Sequence, residues 1–479
     1  MSQEKENVQH LDTQRSSSDV AAEAGIDLEY EKKLIHRVDW KLLPILGALY
    51  SVALIDRTNM SNAAIAGMML DLELYIGDRY SIALLMFFVP YFIFELPSNI
   101  LLRKVGAAKW LGTIVVAWGA VMLGMGWVKT WTQLVACRTV LGFFEAGFFP
   151  ACVYLVSCWY VRFEVQKRMA AFYLVSVFVG GFSAILAYGL MQMEGRHGIR
   201  GWRWIFIVEG AITLGLGILA YFVIIDFPDK VLEKKNGGFL TERDVEIIKS
   251  RIDRDRDDSV ADALTWAKVG KHLCDIKIWG FSFMFLGSTV PAYAFSYFLP
   301  IILSGMGYTD AMSQILTAPP FIFATIFGMA LAVVADKIRM RGPIIAFQAV
   351  VCIIGLAIVA YAENDGARYF GTFLGVAGAQ GNVPAVLSYQ SNNIRMNSKR
   401  SVGSALQVGF GAIGGIMAST VFRNEDKPKY INGLWTAMGC QFMILAITAA
   451  TTVYFRIANK KQALGQKILE NHEAFTYTY

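Results

Sequence analysis

Apolar stretches of about twenty residues recur from residue 42 to residue 457, and they limit the folds open to this chain. A helix needs about 20 apolar residues to cross the roughly 30 Å hydrocarbon core of a bilayer. With 55% hydrophobic and 17% charged residues, the 479-residue chain is too apolar for a soluble enzyme of this size. The sequence therefore predicts an all-α membrane protein with twelve transmembrane helices, near 42–63, 81–102, 109–127, 132–158, 168–192, 203–226, 277–303, 313–335, 343–361, 367–390, 400–422 and 433–457.

One long polar stretch divides these segments into two sets of six. Both sets carry a run of small residues, VFVGGFSAIL in the fifth segment and VGFGAIGGIM in the eleventh, and small residues let helices pack closely. We therefore expect two pseudo-symmetric six-helix bundles, at 42–226 and 277–458. A cytosolic linker at 227–276 joins them, and its run FLTERDVEIIKSRIDRDRDDS has the alternating charges of a solvated helix. Cytosolic tails are expected at 1–41, which ends in the amphipathic stretch LEYEKKLIHRVDWKLLP, and at 459–479.

The formal net charge of +6 comes from Lys and Arg clusters between the apolar segments. Their modest excess in alternate loops favours an orientation with both termini in the cytosol, so we expect no nucleic-acid partner. The chain has no GxxxxGK[ST] motif, which excludes ATP-driven transport. Its histidines lie in tails or loops, and its six cysteines lack metal-ligand spacing. We find no catalytic constellation and expect neither an enzyme nor a bound metal.

Two arginines fall inside apolar segments, Arg57 in the first and Arg138 in the fourth, with the acids Asp56 and Glu145 in the same segments. A charge near the bilayer centre costs roughly 2.5 to 3.5 kcal/mol, so such residues usually face a bundle interior or an aqueous cavity. At about 1.5 Å per residue, both arginines lie about 8 to 10 Å below the outer surface. We expect the two guanidinium groups to bind one substrate carboxylate. The alternative is a structural role in buried ion pairs.

Four runs carry a family resemblance, namely IDRTNMSNA, YFIFELPSNILL, CRTVLGFFEAGFFPACVYLVSCWYVRFEVQKR and GWRWIFIVEG. They resemble the anion:cation symporter family of the major facilitator superfamily, and within it the fungal allantoate and nicotinate permeases. The resemblance implies transport of small organic anions with protons. It also implies anion-binding arginines with acidic partners, at positions matching Asp56, Arg57, Arg138 and Glu145. Leu54 stands where sugar-acid transporters of related groups carry a tyrosine, which argues against a heavily hydroxylated substrate.

Glu145 follows Arg138 by two helical turns, so the two side chains are expected on nearly the same face. Between them, Gly142 would leave room for substrate, and it is also a candidate for a gating or structural role in helix packing. An anion on the arginines would weaken their pull on Glu145 and make its protonation easier, which would couple anion entry to proton uptake. Asp56 is the rival: it either carries the proton itself or permanently orients Arg57.

The remaining polar residues of the segments receive lesser roles. Glu95 and Asn99 form an i, i+4 pair on the second segment, where Pro97 distorts the helix, and we expect a gating or packing role. Glu209 is expected to be structural. The second half has no acid or base matching Asp56 and Arg57, so selectivity is assigned there to neutral groups, namely Tyr293, Tyr297, Asn382, Gln390, Asn393 and Gln407.

The expected function is import of a small organic anion with protons, by alternating access between the two bundles. The anion would be a monocarboxylate such as nicotinate, or an allantoate-like nutrient. The partners are this anion, protons and the lipid bilayer; the proton gradient supplies the energy without a cofactor, and the protein is expected to be a monomer. The plasma membrane is the expected site, with the vacuolar membrane as alternative. An exporter of an acidic metabolite and a non-transporting sensor stay open.

Overall fold

The computed structural model describes residues 28–233, 240–256, 266–338, 340–422, 426, 430–466, 468–470 and 475–479. Most of the predicted N-terminal tail and parts of the linker, at 234–239 and 257–265, lie outside the described residues. The long elements are all α-helices, namely α1 Leu28–Ala63, α2 Arg79–Val105, α3 Ala107–Met125, α4 Trp131–Glu145, α5 Phe148–Trp159, α6 Arg162–Met191, α7 Gly201–Val223, α8 Pro228–Glu233, α9 Glu242–Arg256, α10 Trp266–Leu273, α11 Ile276–Gly305, α12 Asp310–Ile338, α13 Gly342–Tyr361, α14 Asp365–Asn392, α15 Asn397–Val421 and α16 Ile431–Ala463.

All twelve predicted segments coincide with helices. In the described part of the chain, nine helical stretches are long and apolar enough to cross a membrane. The other three predicted segments are α2, α6 and α14, with 27, 30 and 28 residues. At 1.5 Å per residue each is about 40 Å long, enough to cross the hydrocarbon core. The prediction of an all-α membrane protein is confirmed.

The fourth segment is broken rather than continuous. Its first helix, α4, ends at Glu145, and α5 begins at Phe148. Gly147 between them has φ +79°, a left-handed conformation that glycine adopts without strain. A Cβ there would also lie 2.4 Å from the hydroxyl oxygen of Ser98 on α2. The break therefore lets α2 approach closely and leaves Glu145 at the end of a helix.

Each half has its own packing, and several helix pairs join the halves. In the first half α3 packs along α7, α1 along α6 and α7, and α2 along α4. In the second half α13 packs along α14, and α11 along α15 and α16. Between the halves α1 contacts α11, α2 contacts α15, and α6 contacts α12. The helices that carry Arg57 and Tyr293 are thus neighbours across this interface.

The amphipathic stretch before the first segment belongs to α1, which begins at Leu28 rather than near residue 42. It contacts the linker helix α9, where the hydroxyl of Tyr30 donates to Asp244 at 2.5 Å and Arg251 pairs with Glu31. The charged linker run does form a helix over 242–256. It is not fully solvated, because one face is buried, at Val245, Ile248 and Ile252.

The end of the C-terminal tail packs back onto helices of the second half. The ring of Tyr477 stacks on Phe455 with centroids 4.4 Å apart, and the carbonyl oxygen of Tyr479 accepts from the Arg341 amide at 2.6 Å. Glu470 accepts from Lys277 at 2.7 Å and from Lys399 at 2.6 Å. We call these contacts of residues 468–470 and 475–479 the tail latch.

Candidate functional site

Arg57 joins both halves of the molecule. Its Nη2 and Nε donate to one carboxylate oxygen of Glu145 at 2.6 and 2.9 Å, and its Nη1 donates to the hydroxyl of Tyr293 at 3.0 Å. Arg57 and Glu145 are both buried. One guanidinium group therefore ties α1 to α4 within the first half and to α11 in the second.

Asp56 does not pair with Arg57 in the part of the chain that the structure describes. Its carboxylate turns toward α3 and α7, where Trp118 Nε1 donates to it at 3.1 Å and the Thr213 hydroxyl lies 3.5 Å away. Adjacent residues on a helix point about 100° apart, so an acid next to an arginine in sequence does not face it. The hypothesis that Asp56 permanently orients Arg57 is wrong, and Glu145 is the partner.

Arg138 is fully buried on α4, yet among the described residues none of its three guanidinium nitrogens has a hydrogen-bond partner. The hydroxyl of Tyr297, also buried and unpaired within that part, lies close enough to interact with its charge. Leaving a buried charged donor unsatisfied costs several kcal/mol. Arg138 and Tyr297 are therefore the free hydrogen-bond donors of this site.

Aromatic rings surround the two arginines. The guanidinium carbons of Arg57 and Arg138 lie 5.7 and 4.8 Å from the centroid of the same Phe87 ring. Arg57 also lies 5.6 Å from the ring of Tyr91. Cation–π contact stabilises each charge without using its N–H donors. The two arginines therefore lie close to one ring, with Phe87 as their common neighbour.

Gly142 serves helix packing rather than substrate space. A Cβ at this position would lie 2.0 Å from the Phe87 carbonyl oxygen and 3.1 Å from Pro90 Cγ. The missing side chain lets the α2 backbone approach α4. The expectation that Gly142 leaves room for substrate is wrong, and the packing role that was also predicted for it fits the contacts.

The Glu95–Asn99 pair forms differently from the expectation. The Asn99 amide donates to the backbone carbonyl of Glu95 at 3.0 Å rather than to its carboxylate. Glu95 is buried, and Ser98 beside it contacts Gly147 at the helix break. These positions suit the packing role of α2.

The neutral candidates of the second half differ in whether they face the two arginines. Tyr293 and Tyr297 stack with ring centroids 6.0 Å apart and face the two arginines. Asn393 does not, because its amide donates to the Tyr389 carbonyl and its oxygen accepts from the Thr478 amide of the tail latch. Substrate contact by Asn393 is therefore a wrong prediction. Three further candidates are buried on α14 and α15, namely Asn382, Gln390 and Gln407.

Sequence reasoning missed a second buried polar group in the first half. Glu209 on α7 is 3% exposed, and its charge interacts with that of Asp56. Asn59, three residues after Asp56, is fully buried and faces Glu209. The Thr213 hydroxyl lies 3.5 Å from the Asp56 carboxylate and donates to the backbone carbonyl of Glu209 at 2.9 Å. The spacing of Asp56 and Asn59 on one helix was the available signal.

The described ranges contain no group of three or more His, Cys, Asp or Glu residues that could hold a metal ion. Arg57, Arg138 and Glu145 together carry one net positive charge when all three are ionised. This arrangement can hold one carboxylate.

Comparison with known proteins gives one family. Residues 46–419 match the profile of the Major Facilitator Superfamily. The MFS-type transporter cnsO of Penicillium expansum is 32% identical over 453 residues, which cover 93% of this chain and 87% of that protein. The high-affinity nicotinic acid transporter of Saccharomyces cerevisiae is 29% identical over 448 residues, covering 93% and 82%.

Solved structures show the same fold. The xylose transporter XylE from E. coli, in a partially occluded inward open conformation, aligns with a TM-score of 0.67 at 12% identity. The alignment covers 87% of this chain and 99% of that one. The profile match and the fold agree: this chain belongs to the major facilitator superfamily and is a multi-pass membrane transporter, not an enzyme.

Proposed function

We propose that this transporter imports a small organic monocarboxylate together with protons. The observation that carries the proposal is the buried, unpaired guanidinium group of Arg138 beside the unpaired hydroxyl of Tyr297, within the described residues. A carboxylate there accepts from both and removes the unsatisfied donors. Nicotinate is the first candidate, because a relative at 29% identity is described as a nicotinic acid transporter, and an allantoate-like anion is the second.

Glu145 supplies the coupling. While ionised, it holds Arg57 through two hydrogen bonds. Protonation removes its charge and releases Arg57 to bind the incoming carboxylate together with Arg138. The anion in turn weakens the positive field at Glu145 and favours its protonated form. Proton and anion therefore load together, and alternating access between the halves carries both inward.

The ring pair of Tyr293 and Tyr297 contributes selectivity from the second half. Tyr293 contacts Arg57 directly, and its ring packs edge-on against Phe88 with centroids 5.2 Å apart. A flat aromatic acid can stack beside these rings, whereas a polyhydroxylated acid finds few hydrogen-bond partners. We also propose that the protein is a monomer in the plasma membrane. The proton gradient supplies the energy for transport, without a cofactor.

Uptake into proteoliposomes tests this function. Purified protein is reconstituted, an inward proton gradient is imposed, and labelled nicotinate, allantoate and gluconate are compared. We expect accumulation of a monocarboxylate that collapses with a protonophore, and little gluconate uptake. An exporter would instead expel substrate against inward protons, and a sensor would bind carboxylates in a thermal-shift assay without moving them. Either result contradicts the proposal.

A further inference from the structure

Tyr50 on α1 carries a hydroxyl group near the site that has no role so far. It precedes Arg57 by seven residues, about two helical turns, so the two side chains lie on nearly the same face. Its hydroxyl lies close enough to interact with the charges of Arg57 and Glu145 and with the hydroxyl of Tyr293. Tyr50 therefore borders the site on the side of Arg57.

Three aromatic side chains hold the ring of Tyr50 in place. It stacks on Phe172 of α6 with centroids 4.8 Å apart, and its centroid lies 5.2 Å from Phe149 of α5 and 6.1 Å from Tyr173 of α6. The ring cannot turn without breaking these contacts, so the direction of its hydroxyl is fixed before anything binds. A donor fixed in this way loses little conformational entropy when it forms a hydrogen bond to a ligand.

The hydroxyl groups of Tyr50 and Tyr173 differ in their partners. The Tyr173 hydroxyl donates to the side-chain oxygen of Gln380 at 3.1 Å. No residue in the described part of the chain forms a hydrogen bond with the Tyr50 hydroxyl. Both tyrosines are buried and belong to the same group of rings. Of the two, Tyr50 is therefore the one whose donor is available to a ligand.

The exposure of the two α11 tyrosines indicates the direction in which a bound anion can extend. Tyr297, next to Arg138, is fully buried, whereas Tyr293, one turn earlier on the helix, is partly exposed. Phe149, which packs against Tyr50, is partly exposed as well. An anion with its carboxylate on the arginines therefore has room for the rest of its structure on the side of Tyr293 and Tyr50.

We propose that Tyr50 is a specificity-determining residue, which donates its hydroxyl hydrogen to an acceptor atom of the substrate away from the carboxylate. The inference rests on the proposed function and narrows its substrate class to planar heteroaromatic carboxylates with a ring nitrogen as that acceptor. A pyridine carboxylate with a hydrogen bond of about 2.8 Å at each end covers about 10 Å. The seven residues from Tyr50 to Arg57 rise by about the same length along α1.

The position of the ring nitrogen decides whether it reaches Tyr50. In nicotinate the nitrogen lies on the part of the ring away from the carboxylate, in picolinate it lies beside the carboxylate, and benzoate has none. Where no acceptor reaches the Tyr50 hydroxyl, the complex lacks this hydrogen bond and leaves the donor unpaired. The preference among these three acids of similar shape and charge therefore reports the contact with Tyr50.

Calorimetric titration of the purified transporter tests this contact without requiring transport. Nicotinate, picolinate and benzoate are titrated into the wild type, Tyr50→Phe and Tyr173→Phe. We expect the wild type to bind nicotinate about tenfold more tightly than the other two acids. Tyr50→Phe should weaken nicotinate alone and remove this preference. Tyr173→Phe, the matched control from the same group of rings, loses a hydroxyl that Gln380 already occupies and should keep the preference.

Benzoate is the internal check on folding, because an unchanged benzoate affinity in Tyr50→Phe means that the arginines still bind a carboxylate. Equal weakening of all three acids by Tyr50→Phe would make its role structural and overturn the inference. A nicotinate preference that persists in Tyr50→Phe, or that Tyr173→Phe also removes, overturns it too. A wild type that binds the three acids equally overturns the role of Tyr50 and leaves the proposed function intact. A wild type that binds none of them contradicts the proposed function and this inference with it.

Discussion

The two halves of this transporter share a helical plan but keep their charges in different places. In the first half several charged residues are buried within the membrane segments, namely Asp56, Arg57, Glu95, Arg138, Glu145 and Glu209. In the second half the ion cluster of Asp275, Lys277, Lys399 and Glu470 lies at the tail latch, and the residues facing the arginines are tyrosines. The first half therefore holds the buried charges near the site, and the second half contributes neutral tyrosines to it.

The largest effect is expected at Arg138, which tests whether the charges of the first half bind the substrate. Arg138→Gln keeps hydrogen-bonding groups but loses the charge, so we expect uptake to fall at least about 100-fold, about 2.7 kcal/mol of transition-state stabilisation. Its matched control is Arg368→Gln, a buried arginine of the second half that donates to the Val359 carbonyl. The control should lower thermal stability while the KM of the protein that reaches the membrane is kept. Equal losses in both variants would mean that Arg138 is structural.

Glu145 tests whether the first half also couples transport to protons. Glu145→Gln should reduce accumulation by about tenfold or more and flatten the pH dependence of uptake, because the coupling proton has no site. Exchange of substrate across the membrane should persist, since exchange needs no net proton movement. The measurement is labelled uptake against counterflow at several pH values, with membrane level as the check on folding. Unchanged accumulation and pH dependence would remove Glu145 from the coupling mechanism.

The sequence was sufficient to locate the helices and the two arginines, because apolar length and intramembrane charge follow from bilayer physics. The ion-pair partner of Arg57 was harder to predict from the sequence. Asp56 adjoins Arg57 in sequence but faces α3 and α7, while Glu145, 88 residues away, is the ion-pair partner. Adjacency along a helix separates side chains, and only the packing of α1 against α4 decides which groups meet.

Two other misassignments have the same origin. Gly142 was expected to leave space for substrate, yet the backbone of Phe87 lies where a side chain at this position would be. Asn393 was predicted to contact substrate, yet its side-chain oxygen accepts a hydrogen bond from the amide of Thr478, 85 residues later. Contacts between distant segments determine both outcomes. A single sequence carries no local signal of them.

The tyrosines of the second half should show a smaller effect. Tyr293→Phe removes the hydroxyl that accepts from Arg57 and keeps the ring, so we expect the KM to rise roughly tenfold, the value of a hydrogen bond to a charged group. The maximal rate should change little, because the ion chemistry of the first half is intact. Tyr389→Phe is the control, a buried tyrosine packed on Phe281 away from the arginines. A large fall in maximal rate in Tyr293→Phe would show that the second half takes part in coupling.

The tail latch gives the smallest expected effect, on stability rather than on substrate. Burial opposes the charge on Glu470, but Lys277 and Lys399 outweigh it and lower the pKa of this carboxyl below its usual range. Because the folded-state pKa lies below the unfolded value of about 4.3, the contribution to stability is fully present above that value. It is lost as the pH falls through the folded pKa.

We therefore expect Glu470→Gln to lower the melting temperature at neutral pH by about 2 to 4 °C, and the difference from the wild type to shrink in acid. The control is Glu73→Gln, which breaks an exposed ion pair with Arg79 and should change stability little. Substrate preference should be the same in both variants, since the described contacts of the latch are with Lys277, Arg341 and Lys399 rather than with Tyr293 or Tyr297. A changed substrate preference in Glu470→Gln would mean that the tail latch influences the tyrosines of the site. The latch would then not be a separate stabilising element.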